Sequence, residues 1–210
     1  MRELPDVYRK LLVRIYSNAL LRMKSTVREL AESTNMRDDH LEELCNYMKN
    51  EKFISESRGE FLLTSIGRKK IKVVFTGGVF DIIHPGHIFA LSSAKKIGDA
   101  LVVVVARDKT VLRNKGRRPL NSEENRLELV KALKFVDVAM LGGEGDIFET
   151  VAKVMPDTIA LGYDQKYDES ELKREAEKHG LSVEFTRLGS RMPDIKSSKI
   201  SENREIFNEF

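Results

Sequence analysis

Apolar residues repeat with a helical period along the first fifty positions. Val7, Leu11, Leu12, Ile15, Ala19 and Leu20 mark one face of a helix over 5–21. Thr26 and Glu29 have capping-box spacing. With Ser25 as N-cap they predict a short helix over 26–32. Asn35 and Met36 make a turn. Leu41, Leu44, Cys45 and Met48 then predict a third helix over 37–51. Residues 53–55 and 60–64 read as a hairpin around Ser57-Arg58-Gly59, and Gly67 closes the unit. From residue 71 the pattern alternates. Apolar, β-branched runs predict strands over 71–76, 100–106, 136–141, 157–161 and 182–186. Between and after them, residues 86–97, 122–134, 145–154, 168–179 and 197–208 read as helices.

The uninterrupted run Leu101-Val102-Val103-Val104-Val105 fits a strand covered on both faces. The expected class is therefore α/β: a Rossmann-like, doubly wound, five-stranded parallel sheet over 71–210. Three helices and a hairpin over 1–70 resemble a winged helix-turn-helix domain, placed ahead of the sheet. Ligands of such a sheet sit at the carboxyl ends of its strands, near the switch point. The boundary falls over 67–72.

Composition narrows this picture. No apolar run approaches the ~18 residues of a membrane span, and the first ten residues do not form a signal peptide. The single cysteine, Cys45, permits neither an internal disulfide nor zinc-finger spacing. A cytoplasmic protein without membrane contact is the expectation. Net charge is +3 in 210 residues, carried by the first unit, with 14 basic and 11 acidic groups over 1–70. Residues 71–210 carry 22 of each, yet 107–118 holds six basic groups against one acidic, Asp108.

The densest chemistry lies at Gly77-Gly78-Val79-Phe80-Asp81-Ile82-Ile83-His84-Pro85-Gly86-His87, a strand end, a glycine turn and a helix start. A helix N-terminus offers N–H groups and a positive dipole end to an anion. His84 and His87 are three apart and share a face once the helix begins. Pro85 suits an early helical position, and Gly86 lets backbone approach a phosphate chain. Two other readings stay open at this point: a pair of structural histidines, and a metal site of Asp81, His84 and His87. Further strand ends add candidates. Lys109, Arg113, Lys115, Arg117 and Arg118 can reach a phosphate or form a solvated basic segment. Gly162 and Asp164, in Leu161-Gly162-Tyr163-Asp164-Gln165, can admit a base or ribose or form an ordinary turn.

Gly78-Val79-Phe80-Asp81 followed by His84-Pro85-Gly86-His87 resembles the HxGH signature of the nucleotidyltransferase superfamily. Ala94-Lys95-Lys96-Ile97-Gly98-Asp99 resembles the end of that family's first helix, and Ser197-Ser198-Lys199-Ile200 its second signature. The resemblance implies attack by a phosphate on the α-phosphorus of a nucleoside triphosphate, with loss of pyrophosphate. It implies catalytic roles for His84, His87, Lys115 and Arg126. It implies nucleotide binding by Gly78, Val79, Phe80, Asp81, Gly86, Gly162, Asp164, Arg191, Ser197 and Ser198. Arg107, Lys109 and Arg113 would face the substrate phosphate. Mg2+, or another divalent cation, would accompany the nucleotide, with no protein ligand assigned and Asp81 the nearest carboxylate.

Ala106-Arg107-Asp108-Lys109-Thr110-Val111, Lys115-Gly116-Arg117-Arg118-Pro119-Leu120 and Val130-Lys131-Ala132-Leu133-Lys134-Phe135-Val136-Asp137 resemble archaeal-type FAD synthetases. These transfer AMP from ATP to FMN. The chain differs from them in lacking a cysteine pair near the C-terminus and in carrying residues 1–70. The alternative within the superfamily is a CTP-dependent cytidylyltransferase for glycerol 3-phosphate or a related lipid precursor, which Arg191 and 197–200 favour. A ligand-sensing DNA-binding regulator is the alternative of another class. Residues 37–52 disfavour it, with Arg37, Lys49 and Lys52 against five acids. Expected partners are ATP (or CTP) and a phosphorylated acceptor such as FMN, with a homodimer left open.

Overall fold

A hairpin, five parallel strands and the helices between them make up the computed structural model, which describes residues 4–163 and 168–189. The chain divides into two units, Met1–Lys72 and Val73–Phe210.

The first unit holds α1 (Asp6–Leu21), α2 (Val27–Thr34) and α3 (Asp38–Asn50). Leu11, Leu12, Ile15, Leu30, Leu41 and Met48 are all essentially inaccessible, so the periodic faces meet in one core. The α2 cap is Thr26, one residue later than the spacing suggested. Its hydroxyl accepts from Glu29 N, and the Glu29 carboxylate accepts from Thr26 N, a complete capping box. Ser25 is buried instead, its hydroxyl accepting from Asn18 Nδ2 at 3.1 Å. Strands β1 (Ile54–Ser57) and β2 (Glu60–Leu63) pair antiparallel. Their turn is two residues, Arg58 and Gly59, both at positive φ, which matches the twist of a tight hairpin. A short helix, α4 (Ser65–Arg68), follows, which periodicity did not predict. It packs so closely on the hairpin that a Cβ at Gly67 would lie 2.0 Å from Phe53 O. The outer face of α3 exposes Asp38, Asp39, Glu42 and Glu43.

The second unit runs β3 (Val73–Gly78), α5 (Pro85–Lys95), β4 (Ala100–Val105), α6 (Asp108–Lys115) and α7 (Glu123–Lys131). It continues with β5 (Val138–Leu141), α8 (Ile147–Val154), β6 (Thr158–Leu161), α9 (Glu169–Lys178) and β7 (Glu184–Arg187). The five strands lie in the order β5-β4-β3-β6-β7, all parallel. The chain winds outward from β3 through β4 to β5, then returns to the other side of β3 for β6 and β7. The winding reverses between β3 and β6, which is the switch point of a doubly wound sheet. Every residue of β4 is buried, as its all-apolar sequence requires. Val74, Leu101, Val103 and Ala160 join Leu91, Ala94 and Val130 in the core.

Carboxylates fix the sheet's amino ends. Asp157 accepts from Val73 N, and Asp137 accepts from Leu101 N and Lys95 Nζ. The strands stand within two residues of their expected ends. The clear departure is α6, a helix within the basic segment 107–118. The expected helix over 197–208 lies outside the described residues.

Candidate functional site

The carboxyl end of β3 leads into a turn closed from both sides. The Asp81 carboxylate accepts from Leu120 N at 3.0 Å and Asn121 N at 2.9 Å, while Asn121 Nδ2 donates to Asp81 O at 2.6 Å. The side chain is buried. Asp81 is therefore a loop anchor. Backbone donors reach both its oxygens, so the role the geometry shows for this carboxylate is to hold residues 120–121 against the turn.

His84 caps α5. Its extended backbone lets the ring fold back, so that Nδ1 accepts from Gly86 N at 3.2 Å. A neutral imidazole accepting at Nδ1 carries its proton on Nε2 and donates from there. Pro85 occupies the first helical position. His87 stands in the same turn, and the two rings have centroids 4.1 Å apart, tilted by 38°. Gly86 serves this packing directly. A Cβ there would lie 2.9 Å from the His84 ring, so the glycine makes room for the imidazole itself. Gly78 likewise makes room for a side chain: a Cβ there would lie 2.8 Å from the Phe80 ring. Val79 turns its carbonyl away toward Arg126.

Arg126 is corrected most. It was expected to act on phosphate, but its side chain is fully buried. The guanidinium donates to Asn121 O (3.1 Å), Val79 O (2.5 Å), Ala106 O (2.8 Å) and Asp108 Oδ1 (2.6 Å). These acceptors follow β3, follow β4, open α6 and precede α7. Arg126 ties the strand ends together, four of its five N–H donors are used in doing so, and its burial keeps it from a substrate. Arg107 is similarly engaged, donating to Gly142 O and to the Glu123 carboxylate. Glu123 also accepts from Asp108 N at 2.7 Å. Burial pushes the Glu123 carboxyl up, but the Asp108 N–H and the Arg107 guanidinium outweigh it and hold it below the ordinary range. So Arg107, expected to face a substrate phosphate, braces the loop after β5.

The remaining cations differ in kind. Lys109 is exposed, with Glu144 3.2 Å away. Arg113 and Lys115 lie exposed on the last turn of α6, before Gly116 closes it in the left-handed conformation. Beyond the switch point, Gly162 follows β6, and its carbonyl accepts from Arg187 at 3.3 Å. Asp164, Arg191, Ser197 and Ser198 lie outside the described residues. Asn121, Glu123 and Arg187 were missed as site-supporting residues. Asn121-Ser122 just before a helix was the available signal, since Ser122 caps α7.

A divalent cation beside a triphosphate takes oxygen ligands, usually one or two carboxylates plus the phosphates. The Asp81 carboxylate is engaged by Leu120 N and Asn121 N. Elsewhere Asp146, Glu175 and His179 approach one another. They are already paired: His179 Nε2 lies 3.1 Å from Asp146, and Lys178 Nζ lies 2.7 Å from Glu175.

The sequence profile of the cytidylyltransferase-like family matches residues 75–203, within the second unit. An FAD synthase of Thermoplasma volcanium is 52% identical over 128 residues, covering 61% of this chain and 89% of the relative. An FAD synthase of Pyrococcus horikoshii is 47% identical over 143 residues, covering 66% and 96%. The crystal structure of a lipopolysaccharide core biosynthesis protein from Thermoplasma volcanium superposes with a TM-score of 0.55 at 52% identity. That match covers 57% of this chain and 98% of the other.

Proposed function

The chain belongs to the cytidylyltransferase-like family and is a nucleotidyltransferase, and we propose that it transfers AMP from ATP to FMN, giving FAD and pyrophosphate. The observation that carries the acceptor is the 52% identity to an FAD synthase across 89% of that protein's length.

In this reading an FMN phosphate oxygen attacks the α-phosphorus of ATP. One P–O bond forms there as the bond to the bridging oxygen of pyrophosphate breaks. No covalent enzyme intermediate is needed, so catalysis rests on placement and on stabilising charge. The triphosphate lies across the N-terminus of α5, where the positive end of the helix dipole favours it. His84, with its proton on Nε2, donates to an α- or β-phosphate oxygen as negative charge grows. His87 supports the same charge from the same first turn. Lys115, Arg113 and Lys109 serve as mobile cations for the two substrates' phosphates. Gly162 lets base or ribose approach β6. Arg126, Asp81 and Arg107 keep the strand ends in register around them. Asp164, Arg191, Ser197 and Ser198 complete the nucleotide site. ATP enters as its complex with a divalent cation, Mg2+ in this proposal, held chiefly by its own phosphates.

Residues 1–70 are read as a winged-helix-like appendage without a DNA-binding role. The exposed acids of α3 would face the phosphate backbone if that helix entered a groove. Among the described residues no helix is long and apolar enough to cross a membrane.

A substrate matrix tests the reaction. ATP and CTP are each offered with FMN, glycerol 3-phosphate or phosphoethanolamine, and pyrophosphate release is followed. Only ATP with FMN is expected to respond. Turnover of CTP with glycerol 3-phosphate would replace this reading with a cytidylyltransferase.

A further inference from the structure

Phe80 has a backbone conformation that its side chain disfavours. Its φ is +53°, in the left-handed region where a Cβ crowds the following carbonyl and where glycine or asparagine is the usual occupant. A bulky aromatic there is an outlier whose surroundings must hold it. Both neighbours are held. Val79 O accepts from the buried Arg126 guanidinium. On the other side, Asp81 is fixed by Leu120 N, Asn121 N and Asn121 Nδ2. These clamps leave the intervening residue little freedom to relax.

The ring lies where the chemistry is. Phe80 is 6% exposed. Its ring centroid is 5.3 Å from that of His87, at an interplanar angle of 58°. That tilted geometry is favourable for two aromatic rings. The seat under the ring is the missing side chain of Gly78. A glycine at 80 would adopt the turn without strain, so the turn alone does not call for phenylalanine; the ring does.

We propose that Phe80 is a positioning residue for His87. In this role its ring, seated on Gly78 and held by the clamped turn, fixes the plane of the His87 imidazole beside His84. The proposal rests on the nucleotidyl-transfer reading for its kinetic consequence, but not for its structural one.

The test uses the full chain with three variants. Phe80→Gly removes the ring and relieves the backbone, so the turn survives. Phe80→Leu keeps an apolar filler without a ring. Gly78→Ala displaces the ring while Phe80 is retained. Two readouts are taken: the His87 Cε1–H resonance in substrate-free protein, and kcat and KM for pyrophosphate release. The expected result is a shifted His87 resonance in all three and kcat lowered about 10-fold or more, since small misplacement is costly. KM for ATP should stay within about threefold. Combining Phe80→Leu with Gly78→Ala should add little to either alone, because both act through one ring. A Phe80→Leu protein with the wild-type His87 resonance and kcat would show Phe80 to be core filler and overturn the proposal. Absence of pyrophosphate release from wild-type protein with ATP and FMN would remove the reaction reading alone. The resonance would then still decide the positioning.

Discussion

His84 has two duties that can be separated by substitution. Its Nδ1 caps α5 through Gly86 N, and its Nε2 side is the proposed donor to phosphate. Asparagine caps a helix well but has no imidazole. His84→Asn should therefore retain the thermal midpoint within a few degrees while kcat falls about 100-fold or more, the scale for removing one transition-state donor. Thermal unfolding and pyrophosphate release on the same preparation check this, and near-wild-type turnover would confine His84 to capping. The histidine pair was legible in the sequence because it is local: three residues, one turn, one face. The fate of Arg126 was not. Its four acceptors belong to residues 79, 106, 108 and 121, which only the folded sheet brings to one point. An arginine near a phosphate site reads as a ligand until its burial is known. The anchoring role of Asp81 was hidden for the same reason, because its donors are main-chain groups some forty residues away.

At the scale of elements, α6 was the helix hidden by composition. Six cations in 107–118 suggest a solvated segment, yet Asp108 in its first turn and Arg113 and Lys115 in its last complement the helix dipole. Gly116, at φ 68°, then ends it. These boundary signals were present, but the apolar stripe was not: Val111 is its one buried residue. What holds α6 is polar, through Glu123 at the start of α7. That carboxylate takes Asp108 N and Arg107 together, and its pKa in the folded chain lies below the ordinary 4.5. A depressed carboxylate stabilises the fold above its unfolded value and loses that contribution as pH falls through the folded value. The stability difference between wild type and Glu123→Gln should thus be full at neutral pH. It should shrink progressively below about pH 4.5. Urea titrations at several pH values measure it, and a pH-independent difference would mean that Glu123 acts by packing instead. The strands, by contrast, were legible to within two residues at either end. Their apolar runs are continuous, and a parallel sheet buried on both faces permits little else.

The whole molecule joins a family domain to a unit that the family profile does not include. The profile begins at residue 75, and the division of the chain falls between Lys72 and Val73. The Pyrococcus horikoshii FAD synthase is matched over 96% of its length by 66% of this chain. That relative therefore has little length left for a counterpart of residues 1–72. The sheet, the α5 N-terminus and the Arg126 clamp all belong to the second unit. So does every acceptor Arg126 uses. The periodicity of the sequence changes near there, from helices and a hairpin to alternating strand and helix. The purpose of the first unit is not legible in it, since a capped, well-packed helical fold with an acidic outer face serves many ends. Its removal separates the two. A chain of residues 73–210 should fold and retain kcat within about threefold of the full chain, a change of less than ~1 kcal/mol in barrier. If kcat instead fell 100-fold with the circular dichroism of the second unit intact, the first unit would be part of the catalytic machinery. The site would then extend beyond the strand ends that now define it.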